Sequence, residues 1–213
     1  MRVFALVGLL LVAGCATAAQ RQYQAISTNN QAVGAEAMAC LRSIYDSPEA
    51  APLRPHSPLD AREATLPQLA DASLASKAEI DAIYLLHPRL KACQRTVLDG
   101  LARSTPSIVP ILADQYSKGD DDLLLFVQRK MSWGEIVRHR RDRGLAAQAA
   151  MQAEGRRIVG SLEQQHVGEL AQRQAALDAI ARWAQTQQLI NAMNKPVYTN
   201  CSQFGSMTNC VSQ

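Results

Sequence analysis

Aromatic residues are scarce in this 213-residue chain: three Phe, two Trp and five Tyr, 5% of the whole. A sandwich or barrel built on aromatic and β-branched packing is therefore disfavoured. Charge of one sign is also missing, since 22 basic residues face 19 acidic ones. Such a near-neutral balance argues against a dedicated nucleic-acid binder. The longest apolar run, residues 3–12, is too short to cross a bilayer as a helix. Signature motifs are absent too. No C-x-x-C pair or Cys–His spacing suggests zinc, and no H-x-x-x-H or H-E-x-x-H relates His56, His87, His139 and His166. No G-x-S-x-G, Walker or dinucleotide fingerprint occurs, and no cofactor is expected.

What is present begins with Met1-Arg2, a short basic end, followed by the apolar run and then Val12-Ala13-Gly14-Cys15. A basic end, a ten-residue apolar region and small residues form a secretory signal. The last four residues resemble the lipobox of bacterial lipoproteins. That resemblance implies cleavage before Cys15, so that residues 1–14 are the signal peptide and Cys15 is the acylated N-terminus. Ala16 in the next position resembles the outer-membrane sorting pattern of enteric lipoproteins. The lipid membrane is thus an expected partner through Cys15, with the chain in the cell envelope, facing the periplasm. The alternative is ordinary cleavage after the A-x-A site Ala16-Thr17-Ala18, which discards Cys15. The chain is exported on either reading.

Four further cysteines, Cys40, Cys93, Cys201 and Cys210, form an even set suited to an oxidising compartment. They allow three pairings. Cys40 and Cys93 each sit on the apolar stripe of an expected helix, and Cys201 and Cys210 bracket a short segment around Gly205. That patterning favours Cys40–Cys93 and Cys201–Cys210.

Helix signals dominate the rest, and the expected class is all-α. The predicted architecture is an elongated bundle or coiled-coil-like hairpin with a very long C-terminal helix. A helical domain is expected over 15–196. Its first helix, 19–45, carries Asn30 as the one polar seam position. A proline-rich connection over 48–75 should pack along the helices or carry function. Ser76 and Glu79 make a capping box for a helix to about Arg103, in which Pro88 should kink the helix or mark its start. A helix from Thr105-Pro106 should close at Lys118-Gly119, with Asp120 capping the next. Ser132 and Glu135 form a second box, opening a helix that runs to near Asn194. Gly144, Gly155, Gly160 and Gly168 weaken it and suggest a bend or break near 160–168. Residues 197–213 should form a β-hairpin-like tail. They resemble the cysteine-closed tails of uncharacterised proteobacterial envelope proteins, a likeness that carries no assigned activity.

The chemistry on offer is modest. Asp120-Asp121-Asp122 reads as an acidic first turn on the helix dipole. Arg129, Lys130, Arg138, Arg140, Arg141 and Arg143 form a basic cluster. It reads first as a solvated face, and Arg138, Arg140, Arg141 and Arg143 are its candidates for contact with an anionic surface. Two function classes follow. One is a membrane-anchored, non-enzymatic structural or interaction module with another envelope protein as partner. The other is an envelope hydrolase whose site is assembled from dispersed carboxylates such as Glu79, Asp81 or Asp120.

Overall fold

The computed structural model describes residues 16–193, 199–204 and 206–212. Cys15 and the expected signal segment, residues 1–14, lie outside these residues. Helix dominates: α1 (Ala18–Tyr45), α2 (Leu66–Ala70), α3 (Lys77–Ala102), α4 (Val109–Val127) and α5 (Trp133–Met193), then strands β1 (Thr199–Phe204) and β2 (Met207–Ser212). The chain divides into two compact units, 1–166 and 167–213. Among the described residues no helix is long and apolar enough to cross a membrane.

In the first unit α1 runs antiparallel along α3. Cys40 and Cys93 are joined by a disulfide with Cα atoms 5.9 Å apart, as their stripes suggested. Lower down, the Asn29 amide donates to the Gly100 carbonyl at 3.1 Å and to Ser104 Oγ at 2.7 Å. Asn30 Oδ1, the polar seam position, accepts from Ser104 at 2.9 Å and Thr105 at 3.3 Å. At Gly100 the helices pack tightly: a Cβ there would stand 2.6 Å from Val33 Cγ2. Two apolar clusters form, one of Val33, Leu101, Ile108 and Leu112, the other of Ala75, Ile83, Phe126, Met131 and Trp133.

The helix ends follow local chemistry. Thr17 and Gln20 form a capping box on α1, and Ser76 and Glu79 form the expected one on α3. At α5, Ser132 and Glu135 exchange the same pair of bonds. Arg129 (φ 57°) takes the left-handed position after α4 that glycine usually holds. The Arg129 N–H then bonds the Phe126 carbonyl and the Lys130 N–H the Leu125 carbonyl.

Pro88 lies inside α3 and does not mark its start. One expected boundary is absent. Gly119 and Asp120 lie inside α4, not at a boundary. A helical glycine costs only about 1 kcal/mol, and Asp120 offsets that by reaching Lys91 at 2.7 Å and His87 at 3.2 Å on α3. The acidic-first-turn reading of the three aspartates fails for the same reason, since Asp122 pairs with His139 and Arg143 on α5. Helical structure in α5 also continues through Gly144, Gly155, Gly160 and Gly168.

The proline-rich connection, apart from α2, forms only 3₁₀ turns at Pro48–Ala50 and Ala61–Glu63. It is held against the start of α5. Asp71 and Ser73 offer carbonyls to the free N–H groups of Gly134 and Trp133, at 2.7 and 2.9 Å. Gly134 is required there, because a Cβ would lie 2.7 Å from the Leu69 carbonyl oxygen and 2.8 Å from that of Asp71.

In the second unit β1 and β2 pair antiparallel, with Cys201 opposite Cys210. Cys201 is disulfide-bonded. The expected turn residue Gly205 and the Cys210 side chain lie outside the description.

Candidate functional site

The first unit holds an apolar cavity of about 860 Å³. Its walls come from both apolar clusters, with Val33, Leu101 and Leu112 on one side and Ile83, Phe126 and Trp133 on the other. Small or polar residues recur where α1 and α5 meet it: Asn30, Gly34 and Ala37 on the first, Gly144 and Gln148 on the second. In a chain so short of aromatics, these positions leave the space open. The space is half-open to solvent and lies within the ordinary size range of ligand pockets.

The basic cluster stands beside it, and only part of it is a solvated face. Arg138 donates to the Leu69 carbonyl. Arg140 donates to Ser57 Oγ at 2.9 Å, to the Pro58 carbonyl at 3.1 Å and to the Leu59 carbonyl. Burial pushes the Arg140 guanidinium pKa below its ordinary value, with Asp60 pulling the other way. These two arginines bind the connection onto α5. Arg143 pairs with Asp122 and is also lowered by burial. Among the described residues Arg141 bonds the exposed Asp142, through Nε at 2.9 Å. Near Arg143 a mixed pocket of about 400 Å³, lined by Lys118, Asp121, Asp122, His139 and Asp142, carries both signs of charge.

A second constellation surrounds His56. Its ring stacks on Trp133, centroids 4.7 Å apart and planes 10° from parallel, while Phe126 meets Trp133 edge-on at 4.5 Å. His56 Nδ1 lies 2.7 Å from Asp71 and Nε2 lies 3.1 Å from Glu79. Both ring nitrogens thus face carboxylate oxygens. Burial alone would raise Glu79, but hydrogen bonds from Ser76 and the nearby His56 bring it below its ordinary value. Asp71 is lowered chiefly by hydrogen bonds from Ser73, with His56 adding to them. The sequence offered no local signal for this arrangement, because His56 sits in the connection and its partners are distant.

The dispersed carboxylates do not converge among the described residues. Glu79 meets His56, the exposed Asp81 pairs with Lys77 at 2.6 Å, and Asp120 meets Lys91 and His87. No protein-family model, curated protein or solved structure matches this chain.

Proposed function

We propose that the chain is an envelope lipoprotein, anchored by acyl chains on Cys15, whose helical domain is a non-enzymatic binding and interaction module. One observation carries this reading. Thr17 is 1% exposed, closes the capping box on α1 and lies 2.8 Å from His166 Nδ1 on α5. Cleavage after Ala18 would remove Thr17, and with it both the cap and the tie to α5. Cleavage before Cys15 keeps them. The stable fold is thus compatible with lipobox processing and is damaged by the alternative. On this account the acylated residue is followed at once by the domain. Three acyl chains, as bacterial lipoproteins carry, exceed the two signals that stable anchoring needs.

Ala16 after Cys15, which resembles the outer-membrane sorting pattern of enteric lipoproteins, supports attachment to the outer membrane facing the periplasm. Cys201–Cys210 closes the tail, and no cofactor or nucleic acid takes part. Another envelope protein is the expected partner, with Leu177, Ile180 and Trp183 of the second unit as exposed apolar positions for it. Fractionation tests the anchor. The native chain should remain with membranes through a high-salt wash, and a Cys15→Ser variant should lose lipid labelling. A native chain recovered unlabelled in the soluble fraction would refute it.

A further inference from the structure

Gly34 on α1 and Gly144 on α5 both line the apolar cavity, and neither has an atom within 4 Å of the place a Cβ would take. The open volume is therefore bounded by small residues on two separate elements. Its charged lining is unbalanced, with Arg62, Arg140, Arg141 and Arg143 against Asp60 and Asp120. Three of those arginines are engaged: Arg62 with Asp60, Arg140 with the connection and Arg143 with Asp122. Arg141 spends only Nε, on Asp142. Its two terminal nitrogens have no hydrogen-bond partner among the described residues. An uncommitted guanidinium fork beside an apolar volume is the chemistry that recognises a hydrocarbon chain ending in an anion.

Size narrows the choice. If a methylene fills about the volume of a liquid water, roughly 30 Å³, a sixteen-carbon chain needs roughly 500 Å³. The cavity, about 860 Å³, holds one such chain with its head group. We propose that this cavity binds a single-chain anionic amphiphile, its acyl chain along the apolar walls and its carboxylate or phosphate on Arg141. The inference deepens the reading of the domain as a binding module and does not depend on acylation of Cys15.

Trp133 forms part of the cavity wall, and the chain has one other tryptophan, the exposed Trp183. The test therefore uses the purified full chain with Trp183→Phe, held in a non-ionic amphipol and titrated with dibromostearate, whose bromines quench indole on contact. Saturable quenching of Trp133 is expected. Competition by unlabelled stearate or by lysophosphatidylglycerol, whichever acts at the lower concentration, separates a free fatty acid from a lysolipid. Gly144→Leu and Gly34→Leu, which fill the space from two helices, should each abolish quenching while the helical circular dichroism is retained. Gly155→Leu, outside the cavity with equally open surroundings, should leave quenching unchanged. Arg141→Gln should raise the half-saturating concentration about tenfold, the loss of one charge-assisted contact, and should not affect the uncharged methyl ester. Absence of saturable quenching, or quenching that survives both leucine variants, would overturn the proposal. Neither outcome bears on the anchor, which labelling at Cys15 reads separately.

Discussion

Thr17 Oγ1 and His166 Nδ1 meet at 2.8 Å across 149 residues of sequence, joining the first cap of the domain to the middle of its longest helix. The same hydroxyl accepts from the Gln20 N–H at 3.2 Å. Thr17→Ala removes the cap and leaves His166 without this partner. An N-cap contributes about 1 kcal/mol and a buried hydrogen bond a similar amount, so a loss of about 2 kcal/mol is expected. Thr17→Ser should recover most of it. Urea denaturation of the three proteins is the measurement.

The Cys40–Cys93 bridge closes 53 residues of chain. In the chain-entropy account this removes on the order of 4 kcal/mol from the unfolded state. Replacing both cysteines by Ala should lower the melting temperature of the helical unit clearly. Replacing Cys201 and Cys210 should leave that transition nearly unmoved, because the tail belongs to the other unit. Non-reducing peptide mapping checks the connectivity, and a Cys40–Cys201 or Cys93–Cys210 peptide would contradict it.

At the start of α5, Gly134 and Arg140 hold the connection by different means. Gly134→Ala drives a Cβ into two backbone carbonyls that cannot swing away, at an expected cost of about 1–3 kcal/mol. Arg140→Gln removes bonds to Ser57, Pro58 and Leu59 and should cost about 2 kcal/mol. Arg141→Gln, by contrast, should stay within about 0.5 kcal/mol, since its partner among the described residues is an exposed aspartate. Thermal melts of the three variants separate an interior role from a solvated one.

Acid should weaken the domain through Glu79 and Asp71. Both are depressed in the fold below their ordinary values of 4.5 and 3.8. Near those values the unfolded chain therefore binds more protons than the folded one, and stability rises with pH. The contribution is complete above about pH 5 and is lost as pH falls through 4 and below. Glu79→Gln should flatten that acid limb. A denaturation midpoint followed from pH 7 to pH 3 in both proteins provides the comparison.

Local chemistry made much of this fold legible. Ser76 with Glu79 and Ser132 with Glu135 each write a helix start into four residues, and the bonds form as those spacings require. Cys40 and Cys93 were readable because each lies on an apolar stripe. Gly119 misled because a helical glycine costs only about 1 kcal/mol, and contacts such as Asp120 with Lys91 outweigh it. Arg138 and Arg140 looked like a surface because their acceptors are backbone carbonyls some 70 to 80 positions away, at Leu69 and at Pro58 and Leu59. The cavity left no motif either. It arises from what Gly34, Ala37 and Gly144 do not fill once four helices are assembled around them.

The anchor is the claim on which the rest of the functional account turns, and the mass of the mature N-terminal peptide tests it most directly. Protein recovered from its native membrane should yield a peptide that begins at Cys15 and carries acyl chains, with Thr17 retained as the cap of α1. An unmodified mature N-terminus at Ala19 would contradict the account, since such a chain has neither the lipid nor the Thr17–His166 bond.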